Sequence, residues 1–98
     1  PQAGLFVKSE IINEHKRIVD DFILKVEASA LATKNDLENV SKKAEELGLG
    51  KANILANAIP RCSIRYVKAS DSKNDILKFM EYEYINSFFG TIDEEFFY

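Results

Sequence analysis

The chain has 98 residues, 46% of them hydrophobic and 30% charged, which is the profile of an ordinary folded chain and suits a single domain spanning residues 1–98. Its net charge of −3, with Lys and Arg scattered among Asp and Glu, leaves no continuous basic surface and argues against nucleic acid or an anionic membrane as a partner. One Cys and one His exclude an internal disulfide and a two-histidine zinc helix, so neither a metal nor a cofactor is expected.

A domain of this size buries roughly 60 to 68% of the surface its unfolded chain exposes, so its core has little margin. No run approaches the ~20 apolar residues of a membrane span. The chain starts at Pro1, which reads as trimming or excision with any targeting segment lying upstream.

Leu5, Phe6 and Val7 form a short apolar run between Gly4 and Lys8, the pattern of a minimal buried strand. Helical spacing takes over at Ser9 and continues to about Ala32. Ile18, Val19, Phe22, Ile23, Val26 and Ala30 fall on one arc, with Lys16, Arg17, Asp20, Asp21 and Glu27 opposite. Asn13 is placed to break this stretch by capping a turn at Glu14. Leu24 stands among the charges, either as a scattered surface leucine or as a contact with sequence outside the chain.

A second helix opens at Asn35 or Asp36, where Glu38 completes a capping box with Asn35. Leu37, Val40, Ala44 and Leu47 make its apolar stripe, and Gly48 supplies the left-handed residue that ends it. A short helix is expected from Lys51 to Ala58, stopped by Pro60. Cys62, Ile64 and Tyr66 then alternate with Ser63 and Arg65, which predicts a half-buried strand over residues 62–67. Ser70, Asp71 and Ser72 cluster as caps for a last helix that runs to about Phe89 and stops at Gly90. Its apolar face is wide, and the tail adds Ile92, Phe96, Phe97 and Tyr98. The fold expected from these elements is α+β and mostly helical: four to five helices with a small two-stranded sheet.

Little here points to chemistry. His15 and Cys62 read as a surface histidine and a small packed cysteine, with no nucleophile signature around either. The acid pairs Asp20-Asp21, Glu45-Glu46 and Glu94-Glu95 project about 100° apart when helical, so they read as solvated faces. Arg61 and Arg65, beside Tyr66, either hold an anion or pair with the many carboxylates. No enzyme activity is expected.

The order of these pieces resembles the C-terminal part of a bacterial solute-binding protein of the nitrate/sulfonate/taurine class. An apolar strand ends near Lys8-Ser9, and a helix with His15-Lys16-Arg17-Ile18-Val19-Asp20-Asp21-Phe22 follows. A helix opened by Lys34-Asn35-Asp36-Leu37-Glu38 comes next, then Ile59-Pro60-Arg61-Cys62-Ser63-Ile64, and finally the acidic, aromatic ending Glu94-Glu95-Phe96-Phe97-Tyr98. The prolines that many members carry at the place of Lys16 and in the Asn-Pro-Glu-like segment are missing. The resemblance implies a fragment of a two-lobed, type II periplasmic-binding-protein fold. Such a protein is non-catalytic and extracytoplasmic, whether periplasmic or lipid-anchored, and delivers a small solute to an ABC permease.

On that resemblance Gln2, at the entry of the first strand, and Arg61, beside the second, are the ligand-binding candidates. A small helical protein-interaction module is the alternative. That alternative predicts a monomer with few exposed apolar groups, whereas on the fragment reading apolar surface beyond the needs of so small a core points to self-association, for example as a homodimer that exchanges the terminal helix or the first strand.

Overall fold

The computed structural model describes residues 3–98, in which six α-helices and two 3-10 turns follow one another. The helices are α1 (Ser9–Glu14), α2 (Lys16–Asn35), α3 (Leu37–Glu46), α4 (Ala52–Ala58), α5 (Ala69–Met80) and α6 (Glu83–Phe89), with 3-10 turns at Ile59–Cys62 and Glu94–Phe96. They gather into two compact units. A four-helix unit, residues 7–66, holds α1 to α4 and the first 3-10 turn; a two-helix unit joins residues 3–6 to residues 67–98.

Single residues join several of these helices by serving both ends. The His15 N–H donates to the Ile11 carbonyl and closes α1, while its own carbonyl accepts from the N–H groups of Ile18 and Val19 and opens α2. Asp36 works in the same way, donating to Ala32 and accepting from Val40. The break after α1 therefore falls at His15, not at Asn13. Asn35 remains the last residue of α2, so its capping box with Glu38 does not form; the Asp36 carboxylate instead accepts from the Asn39 side-chain amide at 3.0 Å. The expected last helix also divides. Glu81 and Tyr82 leave the helix between α5 and α6, with Tyr82 in extended geometry and its carbonyl accepting from Asn86. The division places Glu83 in the first turn of α6, where the helix dipole favours a carboxylate.

Gly48 ends α3 as its sequence position predicts. At φ 78° it donates to Glu45, and the Leu49 N–H donates to Ala44, the paired bonds of a Schellman closure. One turn later the Glu45 Oε2 accepts from the Ala52 N–H at 2.6 Å and caps the start of α4. Within the four-helix unit, α3 packs on α4 and on α2, and the 3-10 turn packs on both α4 and α2.

The two expected strands are absent, and the α+β reading, with its fragment of a two-lobed α/β fold, is corrected to an all-helical architecture among the described residues. Cys62 ends the 3-10 turn begun around Pro60, and Ser63 at φ 49° reverses the chain, so the alternation that predicted a strand is cut at its second residue. Residues 5–7 form no ladder, and Leu5 and Phe6 stand exposed. Three apolar residues make too few ladder bonds to hold a strand without a partner along their edge.

Burial is sparse. Val19 is the one buried apolar side chain among the described residues, supported by half-buried Ile23, Val26 and Ala30 along α2. Ile18 and Phe22, expected on the same arc, are exposed, as are Leu24 and Leu47. On α3 the inward stripe runs Leu37, Val40, Ser41 and Ala44, and Ser41 at 2% exposure is the most enclosed residue of the unit. Its hydroxyl has no hydrogen-bond partner among the described residues.

Two substitutions test these readings by denaturant unfolding followed through helical circular dichroism. Ser41→Ala removes an unpaired buried hydroxyl and raises stability by about 1 kcal/mol. Gly48→Ala forces a side chain into a left-handed position and lowers it by about 1 kcal/mol. A destabilised Ser41→Ala would show that the hydroxyl is bonded.

Candidate functional site

The sequence-derived site residues are not brought together. Gln2 lies outside the described residues. Arg61 sits exposed in the 3-10 turn Ile59–Cys62, and neither Arg61 nor Arg65 has an ion-pair partner among the described residues. Without a strand there is no strand face for the two guanidinium groups to share, so both readings of that pair lose their scaffold. His15 is exposed at the α1–α2 joint. Cys62 is an exposed thiol that donates to the Ala58 carbonyl at 3.5 Å, as a residue finishing a helical turn does. No hydrogen bond joins it to His15 among the described residues, and no cluster of three or more His, Cys, Asp or Glu forms there.

The acidic residues do local work. Asp20 pairs with Lys16 at 2.7 Å, Glu46 with Lys43 at 3.1 Å and Glu38 with Lys42 at 2.9 Å, each across one helical turn on an exposed surface. Glu45 caps α4. An open hollow of about 420 Å³ lies along α2, lined by Phe22, Val26 and Ala30 together with Ile64. Lys25 is its one charged residue. The Thr33 hydroxyl at its end is already spent on the Ala30 carbonyl at 2.6 Å. Ser29 also lines the hollow, and walls of this mostly apolar kind suit apolar groups. Arg61 does not line it.

The two-helix unit carries a different surface. Ile76, Leu77 and Met80 are half-buried along α5 with Ile85 on α6, whereas Phe79, Tyr82, Tyr84 and Phe88 are exposed. The rings associate in pairs: Phe79 with Tyr82 at 6.1 Å edge to face, and Tyr84 with Phe88 at 5.1 Å. In the tail the Asp93 carboxylate accepts from the Glu95 N–H and sets the 3-10 turn. Phe96 then meets Phe6 at 6.1 Å and Phe97 at 5.5 Å, and the Lys73 ammonium lies over the Phe97 ring at 6.0 Å.

The aromatic weight of the last helix and tail was legible in the sequence, but this ring pairing was not. Ser41 was missed because it falls on the apolar spacing of α3 while being polar. Its i+4 relation to Leu37 and i−3 relation to Ala44 were the available signal.

Comparison with protein-family models, with curated proteins and with solved structures finds no match for this chain. Among the described residues no helix is long and apolar enough to cross a membrane.

The hydrogen bond and charge of Lys42 hold the Glu38 carboxyl below its ordinary range, and the same contacts with Glu38 raise Lys42. The Glu38 contribution is therefore present above the ordinary carboxylate pKa and lost as pH falls through the lowered value. The Lys42 contribution is present below the ordinary lysine pKa and lost as pH rises through the raised one. Titration followed by NMR should show the Glu38 carboxyl moving back up to its ordinary value in Lys42→Met. An unchanged Glu38 midpoint would mean that the pair does not persist in solution.

Proposed function

We propose that this chain is a non-catalytic helical protein-interaction module whose apolar helix faces are completed by another polypeptide. One observation carries the reading: Val19 is the one apolar side chain buried among the described residues, while Phe22, Leu31, Ile54, Phe79, Tyr84 and Phe88 stand exposed at helical positions. Such a quantity of uncovered apolar surface marks an association site in a stable protein. The chemistry of the surface agrees with it, since the hollow on α2 is mostly apolar, Asp20, Glu38 and Glu46 pair with lysines, and Glu45 and Asp93 serve helix starts. Short helices gain most from a partner. Seven-residue segments such as α4 and α6 are below the ~12–15 residues at which an isolated helix is even marginal in water. Without another partner, the exposed apolar residues of the four-helix unit, Phe22, Leu31 and Ile54 among them, drive self-association of the chain.

Sedimentation velocity over a wide concentration range, together with binding of a hydrophobic dye, tests this reading. The expected outcome is a mass that rises with concentration and a dye signal that falls as the assembly forms. A strict monomer that leaves the dye unbound would sink it.

A further inference from the structure

Charge is divided unequally between the two units. Residues 7–66 carry ten Lys and Arg against nine Asp and Glu, a net +1, whereas residues 67–98 carry three lysines against seven carboxylates, a net −4. From Phe79 to the end there is no Lys, Arg or His at all; that stretch holds Glu81, Glu83, Asp93, Glu94 and Glu95 together with eight of the chain's eleven aromatic residues. Six of those rings, on Phe79, Tyr82, Tyr84, Phe88, Phe96 and Tyr98, are exposed.

We propose that this acidic, aromatic surface of the two-helix unit docks an arginine-rich segment of another polypeptide. The inference rests on the interaction-module reading and names the partner's chemistry. A neutral apolar partner would cover the rings but strand the carboxylates beside them without water or counter-charge, at a cost of several kcal/mol per fully buried ion. A second copy of the same surface brings only more carboxylates, which repel. A cationic segment satisfies both features, because ring faces and carboxylates attract the same groups.

The chain already shows this chemistry on itself, where the Lys73 ammonium lies over the Phe97 ring at 6.0 Å. Arginine fits better than lysine. Its planar, weakly hydrated guanidinium stacks on a ring while its N–H groups reach a carboxylate. Tyr84 and Phe88, one helical turn apart at 5.1 Å, give such a group a ring pair on one helix face.

The experiment is fluorescence anisotropy with three labelled peptides that differ only in carrying Arg, Gln or Glu at the polar positions of one Leu-containing sequence. The Arg peptide should bind saturably, and the other two should bind at least about tenfold more weakly, a difference of roughly 1.4 kcal/mol. Raising ionic strength from about 0.01 M to about 0.15 M shortens the Debye length from roughly 30 to 8 Å and should weaken the Arg peptide severalfold.

The exposed pair Tyr84→Ser and Phe88→Ser should lose about tenfold in affinity, a change of roughly 1.4 kcal/mol. Leu49→Ser, at an exposed residue of the other unit, should leave binding unchanged. NMR shift mapping on the unaltered chain should place the perturbed amides between residues 79 and 98, which keeps the test valid if the double variant loses helicity.

Equal affinity for the Gln peptide, or perturbation confined to residues 7–66, would overturn the proposal. If the Arg peptide fails to bind while the hydrophobic dye binds and the chain self-associates, the arginine inference falls and the module reading stands. If neither dye nor peptide binds and the chain is a strict monomer, both fall.

Discussion

The turn from α3 into α4 is the junction on which the four-helix unit depends. A helix end leaves carbonyls or N–H groups without partners, and a short connection between two helices concentrates both kinds in one place. Here Gly48 closes the carbonyl end of α3, and the Glu45 side chain reaches forward to the first N–H of α4, so one turn satisfies both. The packing of α3 on α4 follows from that closure, and the 3-10 turn that packs against α2 follows from the end of α4. With backbone needs met locally, the unit does not require a sheet or a large core to hold its chain path.

Meeting those needs locally leaves side chains poorly covered. Fixing each residue's backbone costs on the order of 1–2 kcal/mol, and folded chains offset this mainly by burying apolar surface. Among the described residues that burial is thin: one enclosed valine, and a serine whose hydroxyl lacks a partner where an alanine would serve. The exposed rings and leucines are therefore the available reserve of stabilisation. Any protein that covers them contributes to folding as well as to binding, since binding to the folded state alone shifts the folding equilibrium.

How much of this was legible varies with the range of the interaction. The helical period of α2, the stop at Gly48 and the end of α4 near Pro60 are local properties, and the structure has them, though Ile18 and Phe22 of the expected α2 arc stay exposed. Helix joints were harder, because a break such as His15 or Tyr82 is decided by which backbone group completes two turns at once, and no residue type announces it. The strand over residues 62–67 failed for a specific reason. Alternation describes side chains, but strand formation needs an adjacent edge, and a left-handed Ser63 after a 3-10 turn removes the extended start. The resemblance to solute-binding proteins leaned on two such segments and on their order, so Arg61 inherited a place beside a strand that is not there. Charge, by contrast, was countable in the sequence, yet its division mattered only once the chain was seen to gather into two units.

The contact between Phe6 and Phe96 ties the two-helix unit together from residues near opposite ends of the sequence. On a ribosome, residues 7–66 can complete their own packing as they emerge, while the other unit waits until Phe96 has been made. During that interval Leu5, Phe6 and the helices after Val67 lack one of their closing partners. Synthesis thus gives the cell a window in which this segment is open to chaperones or to a partner that reaches it first.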